Sequence, residues 1–204
     1  MSVNEFVSML SHISSTDIFY NPYTDDVKSG NLLLYLSYMQ KDRPKHLFVG
    51  EAPGYKGGAL SGVPFTDEYR LTTNGRKGCL PLQHMDYQII SEMPSKERSA
   101  SVLWETFVSE NYFPLIWNIF PFHPHKSGDS ACNRKPTAGE IEAYRYVIQS
   151  FIELFPSIER IFALGRVPES ELRKMDIEVQ YIRHPSYGGA AICRDEIIKL
   201  ARAN

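Results

Sequence analysis

A short apolar run, Leu47-Phe48-Val49, stops abruptly at Gly50. The chain then carries a carboxylate (Glu51), a proline (Pro53) and five glycines between positions 50 and 62. No helix continues through Pro53-Gly54, so the run reads as a buried strand that ends in a glycine-punctuated loop. Glycine tolerates positive φ and has no Cβ, so such a loop brings backbone N–H groups close to a ligand. The stretch His46–Gly54, continuing to Gly62-Val63-Pro64-Phe65, is the front of a candidate site.

Around it the hydrophobic pattern alternates between the two periods. Helical spacing predicts helices over 3–13, 31–40, 101–110, 167–175 and 190–201. Thr137-Ala138-Gly139-Glu140 is a capping box that opens a further helix running to Phe155, where Pro156 stops it. Strands are expected at 47–49, 113–120, 160–164 and 178–182. Residues 66–95 carry turn signals, with a short helix expected at 82–90. Alternating strands and helices predict an α/β fold: three α/β/α layers around a central, mostly parallel four-stranded sheet. With 204 residues and no linker-like tract, the chain reads as a single domain over 1–204, with residues 1–40 as N-terminal helices packed on it.

Composition excludes several classes. Three widely spaced cysteines, Cys79, Cys132 and Cys193, make neither a disulfide framework nor a CxxC metal site, and reduced thiols of a cytoplasmic protein are expected. The first residues lack the blocks of a signal peptide, and no apolar run approaches a membrane span. A net charge of −2 counts mildly against a nucleic-acid binder, although a local basic patch suffices for phosphate contact. One patch is Arg70, Arg76 and Lys77. The other is His123, His125, Lys126, Arg134 and Lys135, in the long polar loop 122–135. The glycine stretch is neither a P-loop nor a dinucleotide fingerprint, Ser186 has no nucleophile elbow, and His123-Pro124-His125 with Cys132 has the spacing of no common metal site.

Ligands of open parallel sheets bind at the carboxyl ends of the strands. Those ends carry Gly50-Glu51, Asn118, Gly165-Arg166 and His184-Pro185-Ser186. An asparagine offers a donor and an acceptor on one planar group, which matches the Watson–Crick edge of uracil. A histidine can donate to charge developing on a leaving oxygen, a carboxylate can orient water or stabilise a cationic sugar, and Phe65 can stack on a base for roughly 1–3 kcal/mol. Each residue type also has an ordinary structural use; their shared placement after successive strands gives the set its weight. Together they describe a pocket that splits a base from its sugar.

At these residues the chain resembles the uracil-DNA glycosylase superfamily, most of all the thermophile and bacterial branch that usually carries an iron–sulfur cluster. Gly50-Glu51-Ala52-Pro53-Gly54 is similar to that branch's first motif and Gly62-Val63-Pro64-Phe65 to its continuation. Asn118 with Pro121, then Asn133-Arg134, Pro136-Thr137 and Glu140, resembles the stretch after its uracil-reading asparagine. Ala163–Arg166 and His184–Tyr187 are similar to the later motifs. The resemblance implies base flipping and hydrolysis of the N-glycosidic bond of uracil, or a related deaminated base, in single- or double-stranded DNA. It implies catalytic roles for Glu51, Asn118 and His184, and substrate contacts from Gly50, Ala52, Pro53, Gly54, Phe65 and Asn118. Arg134, Lys135, Pro185, Ser186 and Tyr187 would face DNA, with Tyr187 as a wedge. A cluster needs four cysteine ligands and only three cysteines exist, so no metal or other cofactor is expected. Gly57-Gly58 stand where the family usually has an acidic pair. A monomer is expected. The alternatives are a non-catalytic nucleobase or nucleic-acid binder on the same fold, and an enzyme acting on a small nucleoside.

Overall fold

The computed structural model describes residues 1–83 and 86–203. Seven longer helices and four sheet strands alternate in it. They are α1 (Val3–Ser11), α2 (Asp26–Asp42), β1 (His46–Gly50), α3 (Arg98–Ser109), β2 (Leu115–Asn118), α4 (Ala138–Ala143), α5 (Arg145–Leu154), β3 (Arg160–Leu164), α6 (Arg166–Lys174), β4 (Gln180–Ile182) and α7 (Ala190–Arg202). The strands lie in the order β2-β1-β3-β4, and all three pairings are parallel. A two-residue antiparallel ladder joins Phe19–Tyr20 to His123–Pro124.

The two faces of the sheet can be read from its side chains, which alternate along each strand. Trp117 packs on Phe6 of α1 and stacks on Phe151 of α5, so those helices cover one face. Phe48, which packs on its register neighbour Phe162, meets Phe107 of α3 and Tyr112, so α3 covers the other. Helix α3 in turn packs on α7. This is the three-layer arrangement expected from alternation. At the outer edge of β2, the Ile116 N–H donates to the buried hydroxyl of Tyr35 on α2 at 3.1 Å.

Several elements differ from the sequence expectation. Helix α2 begins five residues before position 31, because the Asp25 side chain caps it on Lys28 N–H; it ends where Arg43 turns left-handed at φ 55°. The helix expected from Thr137 to Phe155 breaks at Tyr144 into α4 and α5. The cause is tertiary: the Tyr144 ring sits edge-on against Phe19, Phe120 and Phe122. The helix expected at 82–90 is a single turn, Leu80–Gln83, and residues 86–90 are irregular; positions 84–85 lie outside the described residues.

The segment 66–97 is held by buried polar side chains. Asp67 accepts the Arg70 and Glu97 N–H groups, and Glu68 accepts those of Ile90 and Ser91. Asn31 donates to the Gln88 carbonyl and accepts its N–H. Among the described residues no helix is long and apolar enough to cross a membrane.

Candidate active site

The four carboxyl ends of the strands lie side by side. Gly50 pairs in register with Asn118, and the ladder continues past them, with Ile119 N–H donating to Gly50 C=O at 2.8 Å and Phe120 N–H to Glu51 C=O at 3.0 Å. Those bonds fix the backbone on both sides of the asparagine. Asn118 is 2% exposed, and its Oδ1 is buried with no hydrogen-bond partner in the protein. A buried acceptor without a partner costs about 1–3 kcal/mol, a cost that a donor on a ligand would remove.

Gly50 explains why this strand end is glycine. A Cβ there would overlap the ring of Phe65 and stand 2.8 Å from Asn118 Oδ1. The Phe65 ring therefore lies directly over the end of β1, beside the asparagine. Its backbone is left-handed, at φ 48°, a conformation that costs a non-glycine residue on the order of 1–3 kcal/mol. Trp104 of α3 holds it there: its indole Nε1–H is shared between Phe65 C=O at 3.2 Å and Thr66 Oγ1 at 3.1 Å.

His184 follows β4, and its ring lies 6.1 Å from that of Phe65 between centroids, tilted by 49°. Its Cβ is 3.5 Å from where a Cβ of Gly165, at the end of β3 with φ 106°, would stand. Its Nδ1 receives the Ser186 backbone N–H at 3.2 Å and lies 2.7 Å from Ser186 Oγ. A backbone N–H can only donate, so Nδ1 carries a lone pair and the ring proton sits on Nε2. Burial lowers the pKa of His184; Glu97 acts against that and Arg183 acts with it. The ring is thus a neutral imidazole with a free N–H donor. Glu51, half-buried after Gly50, is pushed up by burial, with Lys135 opposing.

The family model for the uracil DNA glycosylase superfamily matches residues 36–197. The chain belongs to the uracil-DNA glycosylase superfamily. A crystal structure of wild-type SMUG2 from Pedobacter heparinus is similar in fold, with a TM-score of 0.69 at 17% identity over 98% of this chain and 97% of that one. A search of curated protein sequences gives no match.

In this superfamily member the remaining sequence-predicted residues divide into two groups. Ala52 and Gly54 are half-buried beside Glu51, and the buried Pro53 presents its carbonyl to His123 Nδ1 at 2.8 Å. Lys135 and Tyr187 are exposed, Tyr187 at 96% with φ 50°, while Pro185 is buried and Ser186 is engaged with His184. Arg134 departs from the expectation that it faces DNA. Its guanidinium donates to His125 C=O, Lys135 C=O, Ile18 C=O and both oxygens of Glu140, which uses all five of its N–H groups. That bond holds the Glu140 carboxyl down to about 2. Arg134 braces loop 122–135 and has no donor left for a phosphate.

Three contributors were not predicted as parts of the site. Trp104 reads as one more apolar helix position. His123, considered as part of a basic patch and as a metal ligand, instead lies between the Pro53 carbonyl, 2.8 Å from Nδ1, and the Ser130 carbonyl, 3.1 Å from Nε2. Asn133 Oδ1 accepts Tyr55 N–H at 3.0 Å and so docks the same loop on the glycine loop. Among the described residues no group of three or more His, Cys, Asp or Glu side chains could hold a metal ion. Of the thiols, Cys193 is buried and pushed up to about 12, and Cys132 Sγ accepts Lys126 N–H.

Proposed function

We propose that this protein is a monofunctional DNA glycosylase that removes uracil, or a related deaminated base, from DNA by flipping the nucleotide out of the stack. The observation that carries the reading is the unpartnered, buried Oδ1 of Asn118, set against the Phe65 ring with the neutral His184 near it. A flipped pyrimidine stacked on Phe65 would place its edge at Asn118, whose oxygen accepts the ring N–H. As the bond from C1′ to the base nitrogen breaks, its electron pair passes to the base, and the charge spreads to a ring oxygen. His184 Nε2–H donates to that oxygen. Water adds to C1′ and loses a proton, and Glu51, which follows Gly50, would receive it. The exposed Tyr187, on a left-handed turn before Gly188, would fill the space that the flipped nucleotide leaves in the duplex. Lys135, exposed and within electrostatic reach of Glu51, would meet phosphate.

The test is incubation with single- and double-stranded oligonucleotides containing uracil, hypoxanthine or xanthine, followed by alkaline cleavage at abasic sites. Strand scission that depends on the modified base is expected. No scission at high enzyme, alongside an active control glycosylase, refutes the reading. Binding of the same oligonucleotides without scission would identify a nucleobase-binding protein on this fold.

A further inference from the structure

Tyr187 is 96% exposed and stands on a tight turn that Gly189 N–H closes by donating to Ser186 C=O at 3.0 Å. Both central residues of the turn are left-handed, Tyr187 at φ 50° and Gly188 at φ 77°. Gly, Asn and Asp dominate such positions, because a bulky side chain is strained there. An exposed ring brings no packing to offset that strain, so the backbone of the turn needs a restraint from a neighbour.

Arg183 supplies one. Its guanidinium Nη2–H donates to Tyr187 C=O at 3.1 Å, a charge-assisted bond. Its side chain also packs on Gly189: a Cβ built on that glycine would stand 3.1 Å from both Cγ and Cζ of Arg183 and would overlap His184 C=O. The arginine is itself anchored. Its backbone N–H donates to Glu196 Oε2 on α7 at 2.7 Å, and it directly follows the last residue of β4. The turn is therefore gripped by a side chain that is rooted between the sheet and a helix. An arginine beside a DNA site has an ordinary alternative use, contact with phosphate, but here one donor is already spent on the turn.

We propose that Arg183 is a positioning residue for Tyr187: its guanidinium, bonded to Tyr187 C=O and packed on Gly189, holds the turn Ser186–Gly189 in shape before DNA arrives. The tyrosine then enters a duplex without first having to be ordered. The consequence falls on one class of substrate. A base in a duplex has to be unstacked and unpaired before it reaches the pocket, whereas a base in a single strand has no partner to leave. Arg183 thus governs excision from duplex DNA and contributes little to excision from single strands. The inference rests on the reading of Tyr187 as the group that fills the space the flipped nucleotide leaves.

The experiment uses the full chain and two readouts. In the free protein, NMR relaxation gives the order parameters of the Tyr187, Gly188 and Gly189 amides in wild type, Arg183→Met, Arg183→Gln and Arg183→Lys. Met keeps a stem over Gly189 and loses the donor, Gln is too short to reach Tyr187 C=O, and Lys keeps a donor on a long stem. Single-turnover excision of uracil from matched single- and double-stranded oligonucleotides is measured for the same proteins, for Tyr187→Ala, and for Arg183→Met combined with Tyr187→Ala. Mildly alkaline pH keeps His184, whose pKa is lowered, neutral throughout. The order parameters are expected to fall in the Met and Gln variants and to recover in Arg183→Lys. Excision from duplex should drop about 10-fold in the Met and Gln variants, with a change of less than about threefold on single strands. In the Tyr187→Ala background, Arg183→Met should cost nothing further, because it acts through the tyrosine. Unchanged order parameters overturn the proposal. So does an equal loss on both substrates, or a loss that adds to that of Tyr187→Ala, since either makes Arg183 a direct contact to DNA. Wild-type protein that excises nothing from either substrate defeats the functional reading instead, and the relaxation data still decide whether Arg183 holds the turn.

Discussion

The Phe65 ring occupies the volume that any side chain at position 50 would need, so the platform and the strand end under it form one packed unit. Gly50→Ala therefore forces the ring aside. The expected result is a loss of about 1–3 kcal/mol in urea unfolding, from overpacking, together with a large fall in excision rate. A variant of wild-type activity would show that Phe65 has no fixed role over Gly50.

Asn118→Ala separates activity from stability. Its Oδ1 makes no hydrogen bond in the protein, so removing it breaks no internal bond. Excision should fall by about 100-fold or more, since the variant loses a contact made to the substrate, while the unfolding midpoint moves little. A fall in stability that accounts for the lost rate would instead make Asn118 a structural residue.

Trp104 controls the platform from behind. Trp104→Phe keeps most of the ring and deletes the N–H shared by Phe65 C=O and Thr66 Oγ1. The left-handed backbone at Phe65 then loses its restraint, at a cost of about 1–3 kcal/mol. Substrate affinity and rate should both drop, measurable as a rise in KM with a lower kcat.

Acid should disable the site before it unfolds the protein. Burial lowers the pKa of both His184 and His123, so the folded state binds their protons less well than the unfolded chain does. Their contribution to stability is complete above the ordinary imidazole value of about 6.5 and is lost as pH falls below it. Glu51 is shifted upward, so it takes its proton at a higher pH than a free glutamate and stops serving as a base. The excision profile should be level through neutral pH and fall on the acid side, with its midpoint below that of a free imidazole. A profile that rises toward acid would contradict the neutral form assigned to His184.

Arg134 and Lys135 are neighbours with opposite expected behaviour. Arg134→Ala breaks a largely buried pair with Glu140 and should cost about 3 kcal/mol of stability, with no change in the salt dependence of DNA binding. Lys135→Ala should leave stability alone and reduce the slope of log affinity against log salt by about 1. Fluorescence anisotropy at several salt concentrations, with thermal melts, distinguishes the two.

What the sequence disclosed follows from what holds each part together. The strand 160–164 could be placed to the residue, because β3 carries an apolar run whose last three residues are buried and which Gly165 closes. Alternation alone led to the expectation that the carboxyl ends of the strands share one edge of a parallel sheet; the order of those strands, β2-β1-β3-β4, was not read from the sequence. Residues 66–97 were illegible because their anchors are buried carboxylates and an amide, Asp67, Glu68 and Asn31, which leave no period in the sequence. The break at Tyr144 was invisible for a related reason, since it depends on aromatic partners far away in the chain. Arg134 was misjudged because a basic loop residue looks the same in sequence whether its donors face solvent or carbonyls.

The hydroxyl of Tyr35 has already taken the amide of Ile116 on the rim of the sheet. A strand from a second copy would have to evict a buried phenol before it could zip onto β2. On this flank the sheet therefore stops at β2, and the edge is a poor template for fibrous self-assembly.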